Sequence, residues 1–477
     1  MKFWFIAGSQ RMYGEGILQR VEANAMEICR ELAERLPYPV QYMGMVLDSG
    51  IAVDLIKSAN SQDDCAGIIT FCHTFSPSKM WINGLALLQK PWCHLHTQFN
   101  REIPDDIDMD YMNLHQSAHG DREHGYIGAR MGLARKVIAG HWKDVSVATR
   151  LSKWQRACVG AAASRATRVM RFGDNMREVA VTDGDKVGAQ IQFGWQVNTT
   201  PVGTLVEAMR AVTPAQVDGK IEEYRSRYVL GQANPESVRY QATEEIAIQG
   251  LLDADGSTAF SNTFEDLYGL RQLPGLATQN LMAKGYGYGG EGDWKTAALT
   301  AIVKKMGGPA TFMEDYTYDL KNGLSLGAHM LEVCPSVAEG TPVIEVHNLG
   351  IGDREPPARL VFEGKAGPAA VMTLLDLGGR FRLILQDIVC VAPTQKMPSL
   401  PVARVMWKPL PSLEAGAECW IMAGGGHHTV LSHGVDAEIM RDWARVMGVE
   451  FLRIGAGTDP DAFERELRLS EIIWRKA

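Results

Sequence analysis

Carboxylates and imidazoles in the second half of the sequence could together bind a divalent cation. They are Glu291, Glu314, His329 and one member of the adjacent pair His427–His428, each near glycine or inside an apolar run. A bare carboxylate in an apolar setting is costly, and a metal ion would relieve that cost. Two carboxylates with two imidazoles suit Mn²⁺ and leave coordination positions open for a chelating substrate.

The segment Phe312–Tyr318, FMEDYTY, predicts a strand that carries Glu314. Residues two apart in a strand share a face, so Glu314 and Tyr316 would project together and Asp315 oppositely. A structural alternative exists for each residue, because Glu314 could lie at an edge or in solvent and each histidine could be a satisfied core residue. The sequence contains neither an HExxH motif nor paired cysteines, which argues against a zinc protease or a structural zinc site.

Other histidines have spacings that resemble those of metal ligands. His94 and His96 would share one face of a strand, but a strand end with polar contacts fits CHLHTQF better than a metal site does. For His115 and His119, with Gln116 between them, a substrate or inter-subunit contact is the better interpretation.

The glycines at Gly285, Gly287 and Gly290 match the GxGxxG dinucleotide fingerprint, which requires a strand before it and a helix opening after it. Here ATQNLMAKG predicts a helix that ends at Gly285, and Glu-Gly-Asp-Trp-Lys follows the last glycine. We therefore expect a flexible glycine loop that folds tightly around Glu291 and Asp293, and not a nucleotide site.

Strand and helix patterns alternate from the N-terminus to about Gln98, which is typical of a parallel α/β layer. The predicted strands are FWFIAG, Val40–Val46, CAGIITFC and WCHLHTQ, and the predicted helices are 17–36, IAVDLIKSAN and KMWINGLALLQK. The polar segment Ile103–His124 is too long for a simple connection, so it predicts a functional loop or an interface element. Helical patterns resume near Ala129–Ile138.

A second α/β series begins near 169–172, and the pattern changes again beyond Gly307–Gly308. The runs VIEVHNLGI, RLVFEG, RFRLILQDIVCVAP and ECWIMAGG predict short strands of an antiparallel sheet or barrel. The sequence thus predicts two Rossmann- or flavodoxin-like parallel α/β domains, at 1–167 and 168–307. A mainly β, antiparallel barrel-like domain at 308–477 would follow them.

The composition is that of a folded globular protein with no affinity for nucleic acid. Hydrophobic residues make up 46% and charged residues 22%. The 48 Lys and Arg against 56 Asp and Glu give a net charge of −8, which would repel a polyanion. The N-terminus does not match a signal peptide, and no apolar run has the length of a transmembrane helix. We expect a cytoplasmic protein without membrane contact, whose 8 scattered cysteines are reduced core residues.

Distinctive sequence blocks follow one another along nearly the whole chain. They are GSQ..YG at Gly8–Gly14, HTFSPSKMWINGL at His73–Leu85, HTQFN at His96–Asn100, RFGDNMREVAVTDGDKV at Arg171–Val187, TFEDLYGLRQLPGLA at Thr263–Ala277, GEGDWKTAAL at Gly290–Leu299, FMEDYTY, HMLEVCPS and GGGHHTV. In these blocks the chain closely resembles the bacterial L-arabinose isomerase family, which has an L-fucose isomerase-like fold. The resemblance implies two Rossmann-like domains and a β-rich C-terminal domain, assembled as a homohexamer with active sites at subunit interfaces.

The resemblance also implies an activity and a set of site residues. The activity is a Mn²⁺-dependent conversion of L-arabinose to L-ribulose in L-arabinose catabolism, with D-galactose to D-tagatose left open as a second reaction. One Mn²⁺ per subunit would be bound by Glu291, Glu314, His329 and His428, of which Glu291 and Glu314 would also be catalytic. Substrate contacts would fall on Gln10, Met12, Phe75, Gln116, His119, Met176, Phe264, Asp293 and Tyr316, with Gln116 and His119 reaching a neighbouring subunit's site.

Such an isomerase must move a proton between C1 and C2 of the open-chain sugar. A divalent ion on O1 and O2 would polarise the carbonyl and hold the charge of a cis-enediol, while Glu291 and Glu314 transfer the proton in an order that the sequence leaves open. Asp293 and Tyr316 would orient these glutamates and the substrate hydroxyls. The rival hypotheses are an isomerase of the same fold for a fucose-type sugar and a sugar-binding protein that has lost catalysis.

The chain departs from the family pattern next to the predicted sugar pocket. Arg11 and Met12 follow GSQ where the family usually has histidine and leucine, and His115 stands where asparagine usually precedes Gln116. These changes leave the metal set intact. The exchange of a leucine-sized for a methionine-sized side chain at Met12 shifts substrate selectivity by at most roughly 1–3 kcal/mol, so it bears on the preference between pentoses and hexoses.

Overall fold

The structure of the protein is a computed structural model that describes residues 1–231, 233–349 and 353–474. Its contacts divide the chain into two compact units. The first unit comprises Met1–Ala162 with Arg441–Val446, and the second comprises Ala163–Met440 with Met447–Ala477. The boundaries at 1–167, 168–307 and 308–477 stay a prediction.

The first unit is built on a parallel sheet with the strand order β2-β1-β3-β4-β5. Its strands are β1 (Lys2–Gly8), β2 (Val40–Val46), β3 (Cys65–Cys72), β4 (Trp92–His96) and β5 (Lys136–Ala139). The apolar run of β3 is buried along its whole length, as expected for a central strand that helices cover on both faces. This order is that of flavodoxin-like folds, as the sequence predicted.

The helices of the first unit are α1 (Glu15–Arg35), α2 (Ser49–Ser61), α3 (Ile82–Leu85), α4 (Met109–Leu114), α5 (Ser117–Arg130) and α6 (Val145–Arg165), whose last turn belongs to the second unit. The prediction of a long loop at 103–124 is wrong, because α4 and much of α5 lie there. Asp108 caps α4, and Gly120 of α5 lies so close to the segment after β3 that an added Cβ would be 2.2 Å from the Thr74 backbone oxygen. A helix that packs through glycine has no apolar stripe for sequence analysis to detect.

Two smaller sequence predictions for the first unit are also wrong. The predicted helix KMWINGLALLQK ends at Leu85, before the run is complete, and the predicted helical segment Ala129–Ile138 contains only the end of α5 and then most of β5. Both segments are short, and periodicity alone does not distinguish a strand from a helix over such lengths.

The second unit begins with a parallel sheet of strand order β10-β9-β6-β7. Its strands are β6 (Arg168–Phe172), β7 (Gln196–Thr200), β9 (Ala259–Asn262) and β10 (Gly287–Gly289), while β8 (Val229–Leu230) pairs elsewhere. Its helices are α7 (Lys186–Phe193), α8 (Val202–Ala211), α9 (Pro214–Arg227), α10 (Pro235–Asp255), α11 (Leu276–Ala283) and α12 (Trp294–Met306). This sheet confirms the predicted second parallel α/β layer.

The glycine-rich segment contains more regular structure than the predicted loop. Gly287 and Gly289 form β10 itself, and α12 begins shortly afterwards at Trp294 with Asp293 as its N-cap. The glycines are required by close packing, since an added Cβ at Gly287 would lie 2.2 Å from the Ala297 oxygen of α12. The middle glycine of the fingerprint therefore lies within a strand, with Gly285 before the strand and Gly290 after it, whereas a dinucleotide site needs all three in the turn that follows a strand.

The remaining strands form a closed barrel of order β15-β18-β11-β12-β17-β16, because β15 also pairs with β16. The strands are β11 (Ala310–Asp319), β12 (Leu324–Ala328), β13 (Val343–Val346), β14 (Ala358–Val361), β15 (Gly367–Asp376), β16 (Phe381–Val391), β17 (Arg404–Pro409), β18 (His428–Ser432) and β19 (Glu450–Ile454). Strand β19 joins β16 in parallel, and β14, β13 and β8 form a separate small sheet. The barrel confirms the predicted fold class.

Helices α13 (Leu413–Met422), α14 (Ala437–Met447) and α15 (Pro460–Trp474) accompany the barrel strands in sequence. The predicted strand ECWIMAGG is wrong, because Ser412 caps α13 by accepting a hydrogen bond from the Ala415 amide. The predicted strand VIEVHNLGI is confirmed at β13, and its last two residues lie outside the described residues. All 8 cysteines are buried and unpaired, and the described residues contain no helix long and apolar enough to cross a membrane.

Candidate metal centre

Strand register in the barrel brings predicted metal ligands together. Glu314 on β11 lies opposite His428 on β18 and, on its other side, opposite Ala328 at the end of β12. His329 directly follows Ala328, so both imidazoles flank the same glutamate. Glu291 arrives from the turn between β10 and α12, at the carboxyl end of a parallel strand, where α/β sheets place their ligand sites.

Distances among these side chains show one common site. Oε2 of Glu291 lies 3.6 Å from Nε2 of His428, and Oε2 of Glu314 lies 3.8 Å from Nε2 of His329. The two imidazole centroids are 6.2 Å apart, and the ring of Phe312 packs edge-on against both. These nitrogen–oxygen distances are too long for hydrogen bonds. That a single cation joins all four groups stays a prediction.

Both histidines are anchored through Nδ1 by a buried carboxylate. The His428 ring bonds Oδ2 of Asp293 at 3.1 Å, and the His329 ring bonds Oε2 of Glu332. The remaining Nε2 of His428 is buried and has no hydrogen-bond partner. A carboxylate on one ring nitrogen and an open second nitrogen form the arrangement that orients metal-binding histidines. The residues present therefore fit a divalent cation.

His427 is the other imidazole close to Glu291. Its Nε2 lies 3.9 Å from Oε2 of Glu291, and its side chain is 39% exposed. Ligand atoms of Glu291, His427 and His428 all lie within 4.8 Å of one another. Burial of His428 and its bond to Asp293 favour His428 over His427, and the choice between them stays a prediction.

Electrostatics in the site depend on the balance between burial and opposite charge. Burial raises the pKa of Glu291, but His427, His428 and His329 outweigh it and lower that pKa below its usual value. Burial alone would lower the pKa of His329, whereas Glu332, Glu314 and Glu291 raise it to about 9. The carboxylates thus favour positive charge at His329, whether a proton or a metal ion supplies it.

Predicted substrate contacts of the second unit surround this centre. Met176 donates its amide to the Glu291 oxygen at 3.0 Å, and the Phe264 ring lies 6.1 Å from the His329 ring. Tyr316 is 46% exposed and bonds the Met330 sulfur at 3.7 Å. A bulge in the pairing with β12 occurs at Tyr316, so simple strand alternation does not set its direction relative to Glu314.

Asp293 occupies a different position from the other predicted substrate contacts. It is buried, and its oxygens accept hydrogen bonds from the Lys295 and Thr296 amides, the Thr296 hydroxyl and His428. Burial raises its pKa, but the Lys295 ammonium and these hydrogen bonds hold it far below the usual range. Its oxygens are thus already engaged, and this geometry favours orientation of His428 over direct contact with a sugar.

The other predicted substrate contacts belong to the first unit, at the carboxyl ends of its strands. Gln10 follows β1, and Phe75 follows β3 with its ring 4.6 Å from that of His119. Gln116 stands between α4 and α5, where its Oε1 accepts a hydrogen bond of 3.0 Å from the Tyr13 hydroxyl. Met12 is 79% exposed. The predicted set therefore forms two groups, one in each unit.

Family models for three consecutive domains match the chain. They describe the L-arabinose isomerase N-terminal domain at residues 1–166, the central domain at 168–309 and the C-terminal domain at 309–450. The chain belongs to the L-arabinose isomerase family. It is accordingly an isomerase.

Named relatives extend this match over nearly full length. The L-arabinose isomerase of Geobacillus stearothermophilus is 53% identical over 487 residues, covering 99% of this chain and 98% of that one. The L-arabinose isomerase of Thermotoga neapolitana is 49% identical over 484 residues with the same coverage. A solved arabinose binding protein from Geobacillus stearothermophilus is 10% identical, with a TM-score of 0.16 over 64% of this chain and 87% of that one.

Residues that depart from the family pattern have defined places in the first unit. Arg11 forms an exposed ion pair of 2.8 Å with Asp48. His115 is half-buried, with its ring 4.5 Å from that of Tyr111 and 5.6 Å from that of His73. Burial lowers its pKa, which favours a neutral ring at neutral pH. Arg11 directly precedes Met12 in the sequence, and His115 directly precedes Gln116, so both departures adjoin predicted substrate contacts.

Glu332 is a site residue that sequence analysis missed. It is buried, holds His329, and accepts hydrogen bonds from the Leu331 amide at 3.0 Å and the Tyr288 hydroxyl at 3.3 Å. The available signal was a glutamate three residues after a histidine, inside the apolar run HMLEVC. An acid in such a run needs a buried partner, and the adjacent histidine is the nearest one in the sequence.

Proposed function

We propose that the chain interconverts L-arabinose and L-ribulose by moving a proton between C1 and C2 of the open-chain sugar through a cis-enediol. The convergence of Glu291, Glu314, His329 and His428 on one site, with the buried Nε2 of His428 open, carries the proposal. Membership of the L-arabinose isomerase family supports the choice of sugar.

In this proposal the same residues hold one Mn²⁺ per subunit. A bound divalent cation would supply Lewis-acid polarisation of the sugar carbonyl and stabilise negative charge on the substrate oxygens. Mixed carboxylate and imidazole donors suit Mn²⁺, and the described residues around the centre contribute no thiolate that would favour a softer metal.

Glu291 and Glu314 transfer the proton. The lowered pKa of Glu291 keeps it ionised at neutral pH, so it can accept a proton from carbon and return it. Glu314 is about a fifth exposed, which lets it reach a substrate above the barrel strand that carries it. Asp293 and Glu332 hold the imidazoles in place during this transfer.

The first-unit contacts Gln10, Met12, Phe75, Gln116 and His119 complete the sugar pocket in our proposal. Gln116 and His119 do so in a neighbouring subunit of a homohexamer. The rings of Phe75 and His119, which lie in contact at a tilt, offer an apolar face with a polar tip. The Gln116 side chain accepts a hydrogen bond from the Tyr13 hydroxyl and donates one to Oδ1 of Asn113. Such groups suit the hydroxyls and C–H faces of a sugar.

A panel of aldoses tests the proposed function. The protein is stripped of metal by a chelator and assayed for ketose formation from L-arabinose, D-galactose and L-fucose, with and without added Mn²⁺. We expect turnover of L-arabinose only after Mn²⁺ is restored, together with a higher melting temperature, because a metal that binds only the native state stabilises it. Full activity in a rigorously metal-free preparation would contradict the metal mechanism. Turnover of L-fucose in preference to L-arabinose would identify the fucose-type rival.

A further inference from the structure

Glu291 has a backbone conformation that glutamate rarely adopts. Its φ is +59°, in the left-handed region, and the following Gly292 has φ +79°. A side chain other than glycine is strained there, and such strain persists only where surrounding contacts determine the conformation. The direction of the Glu291 carboxylate depends on this turn, so the groups that hold the turn also aim a proposed metal ligand.

The backbone of the turn is fixed at its carbonyl oxygens. Met176 donates its amide to the Glu291 oxygen at 3.0 Å, and the side-chain amide of Asn175 donates to the Gly292 oxygen at 3.2 Å. The Gly292 amide in turn donates to the Asn262 oxygen at 3.0 Å, at the end of β9. Gly292 must be glycine, because an added Cβ would lie 2.5 Å from the Asn175 Cα.

Asn175 can make its contact in only one orientation. Its Oδ1 faces the Arg171 guanidinium, which can only donate, so its NH₂ group must face the carbonyl oxygens of Gly292 and Thr182. Arg171 is itself buried at the end of β6, where it also bonds Asp174 at 3.0 Å and Thr199 at 2.7 Å. The parallel sheet therefore fixes Arg171, and Arg171 fixes the amide of Asn175.

We propose that Asn175, oriented by Arg171, is a positioning residue that holds the left-handed Glu291–Gly292 turn and so directs the Glu291 carboxylate into the metal centre. This role rests on the proposed function only in taking Glu291 as a metal ligand. The loop that carries Asn175 also carries Met176, so one segment both holds the turn and lines the site.

Asn175→Asp is the sharpest variant because it keeps the shape and the pairing with Arg171 but cannot donate to either carbonyl. Asn198→Asp, the same exchange at an exposed residue on the neighbouring strand β7, is the matched control. We expect the Mn²⁺ dissociation constant, measured by calorimetry, to rise roughly 10- to 100-fold in Asn175→Asp, as when groups that orient a ligand are lost. The Mn²⁺ paramagnetic resonance spectrum should change as well. The added negative charge would by itself attract Mn²⁺, so weaker binding cannot be a charge effect.

Thermal unfolding of the chelated protein tests the strain independently of metal and function. With Asn175 in place, Glu291→Gly should melt roughly 2–4 °C above Glu291→Ala, because only glycine tolerates the left-handed turn without strain. When both proteins also carry Asn175→Ala, the melting temperatures of Glu291→Gly and Glu291→Ala should differ by less than half as much. This comparison needs no folded Asn175→Asp protein.

Two results would overturn the proposal. One is wild-type Mn²⁺ affinity and an unchanged spectrum in folded Asn175→Asp protein. The other is a glycine advantage that is absent with Asn175 in place or unaltered by Asn175→Ala. Failure of the wild-type protein to bind Mn²⁺ would instead count against the proposed function, and the thermal comparison would then decide on the turn alone.

Discussion

Two buried histidines of the first unit, His73 and His124, hydrogen-bond uncharged groups, whereas the histidines of the metal centre face carboxylates. His73 bonds the side chain of Asn24 at 2.9 Å and the Leu114 oxygen at 3.0 Å, and His124 bonds the hydroxyl of Thr70 at 3.1 Å. Burial lowers the pKa of both, to about 4 for His73. In the second unit the carboxylate of Glu332 outweighs burial and raises the pKa of His329 to about 9.

The difference shows that neighbours, and not spacing, decide what a buried histidine can do. His94 and His96 have the alternate spacing of ligands, yet both bond the single carboxylate of Asp121 at 2.9 Å, which also accepts the Cys72 amide. A single carboxylate whose two oxygens already accept hydrogen bonds provides no cation site. The Nδ1 atom of His94 is also buried without a hydrogen-bond partner, so the metal centre differs in that several carboxylates surround its imidazoles.

Removal of a proton acceptor from the second unit should have the largest effect on activity. Glu314→Gln fills the same volume, but its amide cannot accept a proton, so kcat should fall roughly 10²- to 10⁴-fold while the circular dichroism spectrum is unchanged. Glu291→Gln should behave alike. Glu222→Gln, at an exposed glutamate of the same unit, is the control. A folded Glu314→Gln enzyme with more than about a tenth of wild-type kcat would remove Glu314 from the proton transfer.

The fold class could be predicted because strands of the first parallel sheet such as β1 and β3 are apolar runs that alternate with helical patterns over short connections. Sequence analysis also selected Glu291, Glu314, His329 and the pair at 427–428, since charged groups in apolar runs are conspicuous. It failed at α5, which packs through Gly120 and has no apolar stripe, and at α13, where a short apolar run fits helix and strand equally.

The contacts that orient the site residues could not be predicted from the sequence, for a different reason. Asp293 meets His428 from 135 residues away, and Asn175 meets Gly292 from 117 residues away. No local pattern encodes such pairs, because they depend on how β18 and the central sheet are placed in the fold. The sequence therefore indicates the candidate metal ligands but not the residues that orient them.

The choice between adjacent histidines gives the next largest effect. His428→Ala removes a buried imidazole that Asp293 orients, so the Mn²⁺ dissociation constant should rise by at least roughly 10- to 100-fold. His427→Ala removes a half-exposed ring and should raise it less than roughly tenfold. Calorimetric titration of both variants makes the comparison. The reverse ranking would show that His427 is the ligand. A carboxylate bonded to Nδ1 would then not identify the metal-binding histidine of the pair.

Acid should destabilise the fold through the neutral histidines of the first unit. Burial lowers the pKa of His73 to about 4 in the fold from its ordinary value of 6.5, so the unfolded chain binds more protons between these pH values and stability falls as the pH drops. From pH 7 to pH 5 this single residue should cost about 2 kcal/mol of the free energy of unfolding. The asparagine side chain of His73→Asn cannot be protonated, so the free energy of unfolding of this variant should fall by about 2 kcal/mol less than that of the wild type over the same pH range.

Urea titrations at fixed protein concentration measure this difference. His124, whose pKa is also lowered, titrates in both proteins and cancels from the comparison. Ile138→Val, at a buried residue of β5, is the control, because it lowers stability at both pH values without removing a titrating group. Equal losses in wild type and His73→Asn would mean that His73 is not held neutral by the fold.

The smallest expected signal tests whether the two groups of predicted site residues come from different copies of the chain. His119→Ala leaves the metal centre intact but damages the first-unit contacts, whereas Glu314→Gln does the reverse, so each protein alone should be nearly inactive. If Gln116 and His119 complete a neighbour's pocket, a random mixture of the two should rebuild an intact site wherever a Glu314→Gln subunit supplies its α5 to a His119→Ala neighbour. In an equal mixture that pairing occurs at about a quarter of the sites, so activity should recover to at most about a quarter of the wild type. Mixed oligomers confirmed by native mass spectrometry with no recovered activity would place α5 in its own subunit's site. The first-unit contacts and the metal centre of one site would then come from the same chain.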